Sequence, residues 1–258
     1  MTTALITGAS SGIGLEMARL MAADKVDLVL VARSQDRLAT LADELKSRHS
    51  VAVDVIACDL SDVDAARTVV SALGGKPVDY LINNAGFGDF GAFLERDWAK
   101  LNQMIQLNIT SLTRLTHLLL PHMVERGSGR VLNVASTASY QPGPWMAVYY
   151  ATKAYVLSFS DALSYELRKT GVTVTTLCPG ATQSGFQALA EMENSKLVRG
   201  KNLPTSAEVA AFGYRKMLKG RGVVIHGLLN WLMAQSVRFT PRAVILRVVD
   251  FISGPSSK

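Results

Sequence analysis

Short apolar runs alternate along this chain with segments of helix length, and that alternation leaves few folds open. Ala4–Thr7, Asp27–Ala32 (DLVLVA), Val51–Ala57, Val78–Asn83, Arg130–Ala135 (RVLNVA), Val172–Leu177 and Val223–Ile225 read as seven strands. A helix is expected after the glycines at 8–14, running to about Ala23. Within Gln35–Arg48, the residues Leu38, Leu41, Ala42 and Leu45 recur at the spacing of one helical face. Ser61 is expected to cap a helix through Leu73, with Asp62 and Asp64 in its first turn. Further helices are expected around Asp97–Val124. Another is expected over Tyr149–Lys169, with Gly171 just past its end. Thr205 and Glu208 have capping-box spacing for a helix to Lys219. Strands that alternate with helices build parallel βαβ units with both sheet faces covered. The expected class is therefore α/β, a doubly wound parallel seven-stranded sheet with helices on both faces. Such sheets bind ligands beyond the carboxyl ends of their strands, where the strand order reverses.

Composition agrees. At 258 residues with 48% hydrophobic and 19% charged residues, the chain can bury a large core, which excludes a disordered chain or a solvated coiled coil. Two cysteines, Cys58 and Cys178, make neither a multi-bridge scaffold nor a four-cysteine zinc site, so no metal is expected. The net charge of +6 admits an anionic ligand, a membrane surface or nucleic acid. No run of five basic residues occurs, so no nucleic-acid partner is expected. The opening MTTALITG lacks the features of a signal peptide, and no apolar stretch reaches the length of a membrane span. A reducing, cytoplasmic setting is the simplest expectation.

Gly8, Ser10, Ser11, Gly12, Ile13 and Gly14 fall between the first strand and the first helix. Glycines there let the backbone turn tightly and let a pyrophosphate approach the helix N-terminus. The spacing is G-x-x-x-G-x-G rather than the commoner G-x-G-x-x-G. Gly8-Ala9-Ser10-Ser11-Gly12 also satisfies G-x-S-x-G, which would make Ser10 a hydrolase nucleophile. That alternative needs a later acid and then a histidine. None of His49, His117, His122 and His226 has an evident catalytic context, so phosphate binding is favoured. Tyr149 and Lys153 stand four apart at the start of a helix, hence on one face. An ammonium beside a phenol favours the phenolate and makes the pair a candidate acid/base. On spacing alone a surface pair is the simpler reading. Ser136 at the end of the fifth strand, thirteen residues upstream of Tyr149, and Asn108 in a preceding helix change that balance.

These motifs resemble the short-chain dehydrogenase/reductase family over about residues 1–230. The matching pieces are Thr7-Gly8-x-x-x-Gly12-Ile13-Gly14, Asp59, Asn83-Asn84-Ala85-Gly86, Asn108, Ser136, Tyr149-x-x-x-Lys153 and Pro179-Gly180. The resemblance implies a single-domain Rossmann fold and a nicotinamide cofactor. Tyr149 would exchange a proton with a carbonyl or alcohol oxygen, and Ser136 would orient that oxygen. Lys153 would hold the ribose and lower the tyrosine pKa, and Asn108 would support a water relay. The cofactor would meet Gly8 to Gly14, Asp59, Leu60, Asn84, Ala85, Gly86, Pro179, Gly180 and Thr182; Ser184 stands near where many relatives place a threonine after Pro179-Gly180, and Thr182 is the second candidate for that position. Asn83 would brace the central strands. A mobile substrate lid would span Gln183–Lys201. The branch it resembles includes hydroxysteroid and 3-ketoacyl-CoA reductases. A homodimer or homotetramer would form through helices around 100–124 and 149–169.

The second strand ends Ala32-Arg33, with no carboxylate to bind a ribose 2′-hydroxyl. A guanidinium suits a 2′-phosphate, so NADP(H) is expected over NAD(H), with Arg37 a weaker second contact. The competing reading pairs Arg33 with Asp36. Phe87, Tyr140, Trp145 and Phe186 are candidates for an apolar substrate pocket that takes a small-molecule carbonyl or alcohol: a ketone, steroid or 3-oxoacyl chain. The segment 231–258 stands apart as a C-terminal extension. Trp231–Ile252 is apolar with Arg238, Arg242 and Arg247 interspersed and Pro241 breaking it. It is expected to pack on the domain or a subunit; a peripheral anionic membrane contact is the alternative.

Overall fold

Every residue of Thr3–Thr7 is buried, and this strand, β1, lies in the interior of the sheet between β2 and β4. The computed structural model describes residues 2–186, 190 and 202–254. Six further strands join β1: β2 (Asp27–Ala32), β3 (Val53–Ala57), β4 (Tyr80–Asn83), β5 (Gly129–Val134), β6 (Val172–Cys178) and β7 (Val223–Ile225). All pair in parallel in the order β3-β2-β1-β4-β5-β6-β7. The order reverses between β1 and β4, which opens a crevice at their carboxyl ends.

The near-continuous apolar strands reflect burial on both faces. In β2, Leu28 and Leu30 enter one core with Met17, Leu38 and Leu45, while Val29 and Val31 enter the other with Leu5, Leu81 and Leu115. Side chains alternate across a strand, so each layer needs its own helices. They are α1 (Gly12–Ala23), α2 (Gln35–His49), α3 (Ala65–Ala72), α4 (Trp98–Ile105), α5 (Leu112–Glu125), α6 (Ala147–Glu166) and α7 (Ser206–Leu218). Two more, α8 (Leu228–Ser236) and α9 (Arg242–Ser253), follow β7. The expected box at α7 is formed: Thr205 Oγ1 accepts from Glu208 N, and the Glu208 carboxylate accepts from Thr205 N.

Several boundaries move for local reasons. The helix assigned to Ser61 starts only at Ala65, because Ser61 is taken by Asp59, whose carboxylate accepts both its N–H (2.9 Å) and its hydroxyl (2.7 Å). α6 begins two residues before Tyr149 and stops at Glu166, so Arg168 lies beyond it and stacks on Tyr165. Between α4 and α5 the helix widens into a π segment, Gln106–Ser111. α8 starts before residue 231, so the C-terminal helices do not begin where composition changes.

Candidate active site

The end of β1 is laced to the end of β4. Thr7 Oγ1 donates to Ile82 O (3.2 Å) and accepts from the N–H groups of Asn84 and Ala85 (3.0 Å each). The Asn84 amide donates to the carbonyls of Thr7 (2.9 Å) and Gly8 (3.2 Å). Gly8 and Gly12 adopt φ of +66° and +57°, the left-handed region that glycine enters without strain. Gly14 packs so closely that a methyl there would strike the Gly8 carbonyl and the Asn84 amide. The first turn of α1 has no side-chain cap at Ser11, so its N–H groups face the crevice unsatisfied by side chains. A tight glycine cradle on an uncapped helix N-terminus fits a pyrophosphate.

A cleft of about 1610 Å³ runs from this turn across the sheet ends. Its dinucleotide half is lined by Gly8, Ser10, Ser11, Gly12, Ile13, Arg33, Asp59, Leu60, Asn84, Ala85 and Gly86, with Arg37 beside them. Gly14 supports this wall from behind and does not line it. Arg33 is exposed and reaches toward Asp59 (4.0 Å); among the described residues it forms no ion pair with Asp36. Leu60 is anchored by its carbonyl, which accepts from Ser111 Oγ at 2.5 Å.

At the middle of the cleft Ser136, Tyr149 and Lys153 come together. Tyr149 lines the cleft beside Ser136, whose Oγ accepts from Ala138 N (3.1 Å) and donates to Pro179 O (3.5 Å). Lys153, only 5% exposed, donates from Nζ to Val134 O (2.8 Å) and lies 5.9 Å from the centre of the Tyr149 ring. Burial pushes the phenol of Tyr149 above its ordinary range, and the neighbouring Ser136 hydroxyl pulls the other way. Burial also brings Lys153 down to about 8. Burial dominates the Tyr149 shift, and the depression by Lys153 that the resemblance implies is not among its causes.

Asn108 stands in the π segment and is buried behind the cleft rather than on its surface. Its Oδ1 accepts from Phe87 N (3.2 Å), and its Nδ2 donates to Phe87 O and Thr152 Oγ1 (3.0 Å each). Thr152 Oγ1 in turn donates to Tyr149 O (2.7 Å). Asn83 braces the strands as expected: its amide donates to Asn133 Oδ1 (2.9 Å) and Thr116 Oγ1, and Asn133 donates to Ser160 Oγ (2.8 Å).

Beyond Tyr149 the cleft turns apolar. Phe87, Phe186, Pro179, Gly180, Thr182 and Ser184 line it, and the Phe186 ring lies 5.4 Å from that of Tyr149. Most of the lid segment Gln183–Lys201 lies outside the described residues. Two substrate candidates are not in the cleft. The Tyr140 hydroxyl turns to Cys178 Sγ (3.7 Å), inside a small core cluster. Trp145 packs near Phe90 and donates from Nε1 to Asp250 Oδ1 (2.7 Å), so it holds α9 rather than a ligand. Sequence reasoning missed what the C-terminal segment does: Met233 of α8, Val237 after it, and Ile245 and Val249 of α9 form the far wall. The i, i+4, i+8 series Ile245, Val249, Ser253 was the available signal, since all three are buried.

A glycine cradle at the switch point, with a serine, a tyrosine and a lysine converging beside it, defines an α/β oxidoreductase of the dinucleotide-binding class. The short chain dehydrogenase family profile matches residues 2–194, and the chain belongs to that family. It is similar to the ketoacyl reductase HetN of Nostoc sp., 36% identical over 198 residues, which covers 76% of this chain and 69% of that one. Among solved structures, a short-chain dehydrogenase from Sphingobium yanoikuyae in complex with NADPH superposes with a TM-score of 0.84 at 32% identity, covering 93% and 94% of the two chains. The bulky-bulky ketone specific alcohol dehydrogenase of Comamonas testosteroni gives 0.80 at 29% identity, covering 100% and 97%.

Proposed function

We propose that this enzyme interconverts a hydrophobic ketone and its secondary alcohol with NADP(H), in the ketone, steroid or 3-oxoacyl class. The convergence of Ser136, Tyr149 and Lys153 on the same cleft as the glycine cradle carries this reading. The bound nicotinamide supplies the hydride. The chain supplies the proton: a phenol kept above its ordinary pKa stays protonated at neutral pH and can donate to a carbonyl oxygen. Ser136, beside that phenol in the cleft, would turn its hydroxyl from the long bond to Pro179 O toward the same oxygen. Lys153 retains donors beyond the one used on Val134, which suits ribose hydroxyls. Arg33 and Arg37, with Ala32 in place of an acid, favour a 2′-phosphate. Phe87 and Phe186 shield the reacting centre with apolar rings. A homodimer or homotetramer through the helices at 100–124 and 149–169 and a cytoplasmic setting complete the reading, with a peripheral membrane contact at the C-terminal helices.

The test is a panel of ketones with NADPH, run beside Tyr149→Phe. Turnover by the native enzyme and a loss of about 10²- to 10⁴-fold in kcat, with NADPH binding retained, is the expected result. Cofactor binding without turnover of any ketone would favour a catalytically silent scaffold of the same fold. Arg33→Ala should lower kcat/KM with NADPH by about tenfold, the scale of one charge-assisted bond, and change NADH little. Equal loss with both cofactors would remove the NADP(H) preference.

A further inference from the structure

α8 and α9 face two ways. Inward they wall the cleft. Outward they do not end in a polar surface. On α9, Val244, Arg247 and Phe251 lie opposite the buried face of Ile245 and Val249 and are exposed. Leu229 is 69% and Phe239 87% exposed, and Trp231 and Leu232 are exposed beside them. Large apolar side chains exposed in such number on one face mark an interaction surface. Leu228, Leu229, Met233, Val248 and Ile252 are exposed and also line the cleft, so the cleft rim lies within this face.

Charge selects the partner. Arg238, Arg242 and Arg247 are exposed, and none forms a salt bridge among the described residues. Asp250 is the one carboxylate between residues 228 and 254, and Trp145 holds it. Two copies of this face set together would oppose arginine to arginine, whereas an anionic lipid surface complements all three. No described helix is long and apolar enough to cross a membrane, so the contact is with the surface. We propose that the α8–α9 face docks on an anionic bilayer and that an apolar carbonyl substrate enters the cleft there, directly from the acyl-chain layer. The entry half of this proposal rests on the carbonyl-reductase reading above; the docking half does not.

The full chain would be floated with vesicles of phosphatidylcholine alone and of phosphatidylcholine mixed with phosphatidylglycerol. Two variants keep clear of the cleft lining: R238Q/R242Q/R247Q, and L232E/F239E. Flotation only with the anionic vesicles is expected, falling on the order of a hundredfold in the triple variant, since each basic residue near such a surface contributes about a factor of five. Both variants should reduce a small water-soluble ketone at the native rate but lose turnover of a long-chain ketone dissolved in the bilayer. Absence of native flotation overturns docking, as does a change from oligomer to monomer in L232E/F239E without any lipid binding. Equal turnover of the bilayer ketone by native and variant chains overturns entry from the lipid. Flotation of a chain that reduces no ketone supports docking while refuting the oxidoreductase reading.

Discussion

The two walls of the cleft are built by different physics. The sheet-end wall is held by directional bonds between buried groups: Thr7 to Asn84, Asn83 to Asn133 to Ser160, Lys153 to Val134, Asn108 to Phe87. The α8–α9 wall is held by apolar contacts and a side-chain tie from Trp145 to Asp250. Hydrogen bonds fix both distance and angle, and leaving one unmade inside a protein is costly. Apolar contacts are non-directional and accept changes of shape at conserved volume. The first wall therefore suits chemistry that needs fixed atoms, and the second suits a pocket whose specificity can vary.

The largest test of that contrast is Gly14→Val. The added side chain meets backbone at Gly8 and the pinned amide of Asn84, neither of which can yield. A loss of about 3 kcal/mol in urea unfolding and the loss of measurable NADPH binding are expected. Val249→Ala in the opposite wall leaves a cavity and costs a similar amount, about 2 kcal/mol, yet should leave NADPH affinity unchanged. Cofactor affinity falling equally in both variants would show that the walls are mechanically one.

The same contrast decides what could be read from sequence. The dinucleotide wall was legible because its demands are local: glycines where φ is positive at Gly8 and Gly12, and Tyr149 and Lys153 one turn apart on α6. The seven strands were legible for the same reason. What stayed hidden depends on distant partners. Nothing near Tyr140 or Trp145 in sequence says that one turns to Cys178 and the other to Asp250, 105 residues on. Nor does an apolar C-terminal run say that one of its faces is a wall of the site. The missing cap at Ser61 is a competition, won by Asp59 because its carboxylate satisfies two donors of Ser61 at once.

Lys153 gives a second, intermediate test. Burial lowers its pKa from 10.5 to about 8. Between those values the unfolded chain carries a proton that the folded chain has shed, so this residue makes stability rise with pH, by at most about 3 kcal/mol; below about 8 its cost is present in full. Cys178, raised by burial from 9.0 to about 11, acts in the opposite sense from about pH 9 upward, as does Tyr149 at higher pH. The native curve should thus rise only from about 8 to 9, and the rise should vanish in Lys153→Met while the later fall persists. Identical urea midpoints against pH for the two proteins would place the ammonium in water.

The smallest effect is expected at the tie between the walls. Trp145 donates to a carboxylate at 2.7 Å, but the pair is exposed, which reduces its worth to about 1 kcal/mol. Trp145→Phe keeps an aromatic ring near Phe90 and keeps the left-handed backbone at φ +68°, so only the N–H is lost. Amide exchange in α9 should quicken by about fivefold, the factor that 1 kcal/mol sets when exchange proceeds by local opening. KM for a bulky ketone should rise by a similar factor, while kcat and the NADPH dissociation constant stay where they are. The split matters more than its size. A change in kcat would mean that the apolar wall helps to place Tyr149, and the division between a fixed chemical wall and an adjustable specificity wall would fail at the residue that joins them.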